Sequence, residues 1–245
     1  VALYGPAVSR WSMTERGRRD LHWEPHILGI GPSALTWDGN SLKIDIDEIA
    51  VPFPRRLRGT VIVEPTGINP DEFLLEEKGH HVWRPIAPSS RVQVNFEKPG
   101  ISWKGHGYLD MNRGDEPLAN GFRSWTWSRA HLDHGAAILY DAERRREDPL
   151  SLALRFNNSG GYEQFEPPQR MQLPRTLWQV QRETRAENGA SRVIRTLEDT
   201  PFYSRTEISS QLFGENAPSV HESLSMDRFQ NPIVRMMLPF RMPRR

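Results

Sequence analysis

Residues 34–49 read ALTWDGNSLKIDIDEI, and in them Leu42, Ile44 and Ile46 alternate with Lys43, Asp45 and Asp47. A period of two puts the apolar side chains on one face of a strand and the charged ones on the other. Asp38-Gly39-Asn40 interrupts the pattern with residues suited to a tight turn. The stretch therefore predicts two antiparallel strands with one buried face. The same period recurs along the chain. RGTVIVEP (58–65), SRVQVNFEKPG (90–100) and ISWKGHGYLDMN (101–112) read as strands. FRSWTWSRAHL (122–132) followed by GAAILYDAERR (135–145) predicts a hairpin turning near His134-Gly135. LSLALRFNNSGGYEQFEPP (150–168) predicts two strands about an Asn-Ser-Gly-Gly turn, and TLWQVQRETRAENGASRVIRTLED (176–199) a hairpin turning at Asn188-Gly189. The 20 prolines and 18 glycines fall between short β runs, as in an antiparallel barrel or sandwich. One short helix is expected over 71–78, with Asn69 as N-cap and Pro70 at the first position. EPLANG (116–121) marks a candidate domain break.

Composition narrows the chemistry. Of 245 residues, 37% are hydrophobic and 26% charged, as in ordinary globular proteins. The formal net charge of +1 gives no global field for nucleic acid. With no cysteine, disulfides, thiolate nucleophiles, Cys-ligated zinc and iron–sulfur clusters are excluded. No apolar run approaches the ~18–20 residues of a membrane-spanning helix, and no signal-peptide pattern opens the chain. Arg144–Arg146 and the tail arginines Arg241, Arg244 and Arg245 read as solvated surface or as a patch for anionic lipid.

Several familiar chemistries find no support. His80 and His81 are neighbours on a strand, so they point to opposite faces, and His131 and His134 lie near a turn; no metal is expected. There is no G-x-S-x-G elbow, and Gly29-x-Gly31 runs at once into Pro32, so no phosphate loop forms. Asn157-Asn158-Ser159 matches a glycosylation sequon that arises readily by chance. In GHGYLDMNRGDEP (105–117), by contrast, Tyr108 and Asp110 share a strand face with His106. His81 and Trp83 also stand two apart. Both pairs turned into one enclosed space would gather a phenol, a carboxyl group, an imidazole and an indole. Trp103, Trp125 and Trp127 could line the rest. A plain Tyr108–Asp110 hydrogen bond within a sheet, with Arg113 pairing Asp115 at a turn, accounts for the same residues.

GHGYLDMNRGDEPL (105–118), FRSWTWSRAHL (122–132), LEDTPFYSRTEIS (197–209), the ending HESLSMDRFQNPIVRMMLPFRMPRR (221–245) and the opening VALYGPAVSRWSMTERG (1–17) together resemble the carotenoid 1,2-hydratase (hydroxyneurosporene synthase) family of phototrophic bacteria. The resemblance spans the chain. It implies tandem lipocalin-like β-barrel or sandwich domains, expected here as residues 1–118 and 119–245. Family members carry strands upstream of the segment equivalent to Val1, so the first domain is expected to lack some. The implied reaction adds water across the terminal C1–C2 double bond of an acyclic carotenoid such as neurosporene or lycopene, giving a tertiary alcohol without a cofactor. The residues carried over as catalytic are His81 and Trp83 in HHVW and Tyr108 and Asp110 in GYLD.

The chemistry then assigns roles. Protonating C2 needs an acid, and a buried Asp110 kept neutral can serve. Tyr108 and His81 would orient it or place the water, and Trp83 would offer a π face to the tertiary cation. Trp103, Trp125 and Trp127 would contact substrate or form barrel core. A water-insoluble polyene implies docking at a membrane surface, on the cytoplasmic face of a bacterial inner or photosynthetic membrane. The apolar and basic ending suits such an interface, or equally a final strand with a solvated end. A non-catalytic lipocalin-like carrier, an isomerase or cyclase on the same scaffold, and a carbohydrate-binding sandwich are the competing readings.

Overall fold

The computed structural model of the protein describes residues 1–5, 8–240 and 242. Its strands are antiparallel and its few helices are short. Contacts divide the chain into two interleaved units. One comprises Val1–Thr66, Ser90–Gly107 and Met236–Arg245; the other comprises Gly67–Ser89 and Tyr108–Arg235. The expected division at 118/119 falls inside the second unit.

In the first unit, β1 (Ala2–Tyr4) pairs with β2 (Ser9–Trp11). A meander follows: β3 (Leu21–Glu24), β4 (Ile27–Ile30), β5 (Ser33–Trp37), β6 (Leu42–Ala50) and β7 (Arg55–Pro65). The predicted turn forms because Asp38 Oδ1 accepts the backbone N–H groups of Asn40 (2.8 Å) and Ser41 (2.7 Å). Ile46 and Ala50 of β6 pack with Leu57, Val94 and Phe96, while Asp47 pairs with Arg56 on the opposite face. The inward parity then meets Glu48. Its buried carboxylate is satisfied by Arg16 (2.7 Å) and Ser33 (2.8 Å), as a buried charge must be.

Next come β8 (Phe73–Leu74), β9 (His81–Lys98) and β10 (Ile101–Gly114). The helix expected over 71–78 is absent, and two residues of that stretch form β8, in register with β9 at Phe73↔Trp83. Phe73 and Leu75 face the core while Leu74 faces out, a local period of two. The Glu76 carboxylate caps the backbone of Lys78 (2.8 Å) and His81 (3.0 Å), and such local bonding competes with a helix.

In the second unit, β11 (Phe122–Leu132), β12 (Gly135–Arg144), β13 (Leu150–Asn157), β14 (Tyr162–Gln164), β15 (Arg170–Leu173), β16 (Arg182–Arg185), β17 (Ser191–Asp199), β18 (Tyr203–Leu212) and β19 (Glu215–Ser225) follow. Seven of them make one sheet in the order β14-β13-β12-β11-β19-β18-β17, and β15 pairs with β16 separately. The β11–β12 hairpin turns at Gly135, whose φ is 142°. A Cβ there would stand 1.9 Å from the Phe156 carbonyl oxygen, so only glycine fits. Both faces of the sheet carry core. On one, Ile138, Tyr140 and Leu154 pack with Phe73, Trp83 and Phe122; on the other, Ala130, Leu139, Ala153 and Leu212 cluster.

The hairpin expected across Asn188-Gly189 does not form. The turn is there, with Asn188 and Gly189 at positive φ, but its flanks part company: β16 pairs with β15 and β17 with β18. Glu187 anchors the turn instead to the backbone of Phe213 (2.7 Å) and Gly214 (3.1 Å). Asn157 Oδ1 accepts from Ser159 and Gly161, a turn-forming role for the sequon asparagine. The ending is helical, not a strand: Pro232–Met237 is an α-helix. Arg241, Arg244 and Arg245 lie outside the described residues.

Candidate active site

The site lies within the second unit, where residues 81–89 of β9 and 108–114 of β10 belong. Period two puts Trp83 two residues after His81 and Asp110 two after Tyr108, and β9 and β10 are hydrogen-bonded neighbours. Their side chains converge on one oxygen. The Trp83 indole N–H donates to Asp110 Oδ2 at 3.0 Å, and the Tyr108 hydroxyl donates to the same Oδ2 at 3.1 Å. The Tyr108–Asp110 bond is as the plainer sequence reading had it. The Arg113–Asp115 pair is not: Arg113 meets Glu72 (2.7 Å) and Asp115 meets His80 (2.8 Å).

Aromatic rings pack against the two donors. Trp83 is 0% exposed, with Phe73 at 5.4 Å and Tyr140 at 5.5 Å between ring centroids. An open π face on Trp83, expected from the chemistry, is therefore not what it presents; its N–H is the part turned to Asp110. Trp127 lies 5.2 Å from the Tyr108 ring, and its Nε1 is buried without a hydrogen-bond partner among the described residues. Trp125 packs edge-on against Phe122 at 6.2 Å. Trp103 belongs to the first unit and is 45% exposed.

His81 is brought near but not into this group of bonds. Its ring is buried against Phe122 at 5.2 Å, and its Nε2 lies 3.6 Å from Glu116 Oε1, an ion-pair separation too long for a good hydrogen bond. Gly114 and Gly121 make room for it: a Cβ at Gly114 would lie 2.7 Å from His81 Nδ1.

Burial sets the electrostatics. It raises the Asp110 carboxyl above the usual aspartate range, against the Trp83 and Tyr108 hydrogen bonds, which favour the anion; the charge of Glu222 adds to the rise. Burial, then the Asp110 charge, push the Tyr108 phenol well above its ordinary value. Tyr140 is raised by burial and by the charges of Asp110 and Glu222. Arg129, buried and bonded through Nε (3.1 Å) and Nη2 (3.0 Å) to the Pro88 carbonyl, is held down to about 10 by desolvation. The site is thus a carboxyl group biased toward its neutral form and held by two donors in an aromatic surround. That is an arrangement able to give a proton.

Sequence reasoning missed Tyr140, Arg129 and Glu222. All three lie on the sheet face of Trp127: in the register, Trp127 stands opposite Tyr140 on one side and Glu222 on the other. The alternation of β11 could have flagged Arg129, two residues on from Trp127. A cleft of about 490 Å³ opens in this unit among Trp125, Thr126, Asp141, Arg170, Glu183 and Arg228; Asp110 does not line it.

Known proteins bear on this geometry. The family model for Carotenoid hydratase CrtC matches residues 1–245. The chain is 55% identical to the acyclic carotenoid 1,2-hydratase of Thiocapsa roseopersicina and 47% identical to that of Rubrivivax gelatinosus, in both cases over 100% of its length and 61% of theirs. It is 40% identical to the Cereibacter sphaeroides enzyme of the same name, covering 88% of that protein. Thus the chain spans about three-fifths of the first two relatives, whose remaining length it does not contain. Among solved structures, CghA with Sch210972 superposes with a TM-score of 0.51 at 9% identity, over 81% of this chain and 69% of that one; the likeness carries the lipocalin-like fold alone. With the family model spanning its whole length, the chain belongs to the CrtC carotenoid hydratase family.

Proposed function

We propose that this protein adds water across the terminal C1–C2 double bond of an acyclic carotenoid, with Asp110 as the acid. The observation that carries the reading is the Asp110 carboxyl group: half-buried, raised by desolvation, and held on Oδ2 by Trp83 and Tyr108. An unactivated trisubstituted alkene is protonated on carbon only by an acid that is present neutral and aimed. Asp110 delivers its proton to C2, and the tertiary cation forms at C1. Water then captures the cation to give a tertiary 1-hydroxy product. No cofactor is required by these steps.

Each neighbour has a part. Trp83 and Tyr108 fix the carboxyl group and stabilise the carboxylate left after proton transfer. Trp127 and Tyr140 offer aromatic surface to the cation; attraction of a desolvated cation to a ring is worth roughly 2 kcal/mol. His81 supports the wall formed by Phe122 and the Gly114–Gly121 segment. Trp125 packs that wall from behind. Neurosporene and lycopene are the substrates this chemistry favours.

The polyene has to be taken from a membrane, and we place the protein at its surface on the cytoplasmic side. No helix among the described residues is long and apolar enough to cross a membrane. Ile233 and Met236 of the helix Pro232–Met237 and Phe240 after it are 66%, 70% and 77% exposed, and Arg235 lies in the same helix. The test of function is product formation from an acyclic carotenoid in detergent micelles by the wild type and by Asp110→Asn. The proposal expects a tertiary alcohol from the first and none from the second. Tight binding of the polyene with no product from the wild type would favour a carrier.

A further inference from the structure

Four side chains form one row across the second unit's sheet. Tyr140 on β12 stands opposite Trp127 on β11, Trp127 opposite Glu222 on β19, and Glu222 opposite Arg205 on β18. Cross-strand partners share a face, so the row lies on the face that carries Trp83 and Tyr108. At its centre the Trp127 N–H is buried without a partner among the described residues. Next to it Glu222 is held by Arg205, whose Nε (2.9 Å) and Nη2 (2.5 Å) both donate to Oε1. That leaves Oε2 outside the pair.

We propose that Glu222 is the base of this site: its carboxylate takes a proton from the water that attacks the substrate cation, and the Trp127 N–H orients that water. The inference rests on the hydratase reading with Asp110 as acid. Protonation and water capture then need two carboxyl groups in opposite states. Asp110 gives, so it must be neutral; Glu222 receives, so it must be anionic. The row supplies that difference, because an arginine pairs Glu222 whereas two neutral groups, an indole and a phenol, hold Asp110. The two carboxyl groups are close enough for the Glu222 charge to raise both Asp110 and Tyr140. Separate environments for two coupled carboxyls are how one site holds an acid and a base at one pH.

The protons balance. The C1–C2 π pair forms the new C2–H bond as the Asp110 O–H bond breaks. A water lone pair forms C1–O. One O–H bond of the resulting oxonium breaks, its electrons staying on oxygen and its proton passing to Glu222. Exchange with solvent returns a proton to Asp110 and removes one from Glu222, so only water is consumed.

Without a base the cation still forms but is captured poorly, and it returns to alkene by losing a proton to the Asp110 carboxylate. In D2O a return that removes the original C2 hydrogen leaves deuterium at C2, whereas one that removes the delivered deuteron leaves none, so the deuterium at C2 counts a share of the returns. The experiment follows alcohol formation and deuterium at C2 of recovered substrate, for an acyclic carotenoid in detergent micelles. Glu222→Gln should lower alcohol formation by about 10²-fold or more, in the range of general-base effects. Deuterium should continue to enter the alkene, so the ratio of exchange to hydration climbs by a similar factor. Trp127→Phe should move the ratio the same way by less. A ratio equal to wild type in folded Glu222→Gln overturns the proposal, and so does loss of both exchange and hydration. If circular dichroism shows Glu222→Gln unfolded, Glu222→Asp decides: a raised ratio supports the base, an unchanged one refutes it. Asp110→Asn separates this from the underlying reading, since retained exchange there would sink Asp110 as acid whatever Glu222 does.

Discussion

Replacing Trp83 by phenylalanine isolates the contact that defines the site. The substitution keeps an aromatic ring between Phe73 and Tyr140 but removes the N–H that lies 3.0 Å from Asp110 Oδ2. That hydrogen bond favours the ionised carboxyl group, opposing the effect of burial. Its loss therefore raises Asp110 further, and the acid stays protonated to higher pH. A hydrogen bond to a charged group contributes about 1.5–3 kcal/mol. One pH unit corresponds to about 1.4 kcal/mol, so the alkaline limb of the rate profile should move up by about one unit or more. The assay is kcat/KM for hydration against pH, wild type beside Trp83→Phe, with thermal melts as a control for packing. The maximal rate should fall as well, because the carboxylate left by proton transfer has lost a donor. An alkaline limb that stays in place, or that moves down, would refute the assignment of the limb to Asp110 and of Trp83 to positioning it. Trp83→Ala adds a cavity in a fully buried site and should cost a further 3–5 kcal/mol, roughly, of stability, read from denaturant melts.

Other substitutions probe the surround. Asp110→Asn should abolish hydration yet stabilise the fold at neutral pH. A carboxyl group raised in the folded state contributes stability that is complete below its unfolded value and is lost progressively as pH rises from there through the folded one, so above the unfolded value the wild type has given up part of that stability and the amide has not. The pH dependence of the melting temperature of both proteins checks it; a less stable Asp110→Asn at neutral pH would count against a raised carboxyl group. Tyr108→Phe removes the second donor to Oδ2 and should lower kcat by about tenfold, the value of a ~1.4 kcal/mol contact, with little change in KM. Gly114→Ala would press a methyl group to 2.7 Å from His81 Nδ1 and 2.9 Å from the His80 carbonyl, and should cost about 1–3 kcal/mol together with activity. Gly105→Ala meets no atom within 4 Å and should leave both unchanged; equal effects would dissociate His81 placement from function.

Period two made most strands legible: the 34–49 hairpin, the β11–β12 hairpin and the shared face of Tyr108 and Asp110 follow from alternation and turn residues. Partners distant in sequence were not legible. Trp83 and Asp110 are 27 positions apart, and their bond depends on β9 lying beside β10. Tyr140, Trp127 and Glu222 meet only through the register of three strands, and a strand's alternation says which face a residue takes without naming its neighbour. The two overturned elements share a cause. Residues 71–78 have a helix-starting composition, but Phe73 and Leu75 gain more by entering the core beside Trp83. Asn188-Gly189 makes a good turn, yet strand partners are chosen by the sheets on either side, not by the turn.

The central claim is that Asp110 protonates the substrate so that water can add at C1. The most direct measurement is mass spectrometry of the product formed from lycopene or neurosporene in water labelled with heavy oxygen, by wild type and by folded Asp110→Asn. The account predicts a tertiary alcohol carrying one labelled oxygen per hydrated end from the wild type and no alcohol from the variant. Labelled alcohol formed at the wild-type rate by Asp110→Asn would contradict it.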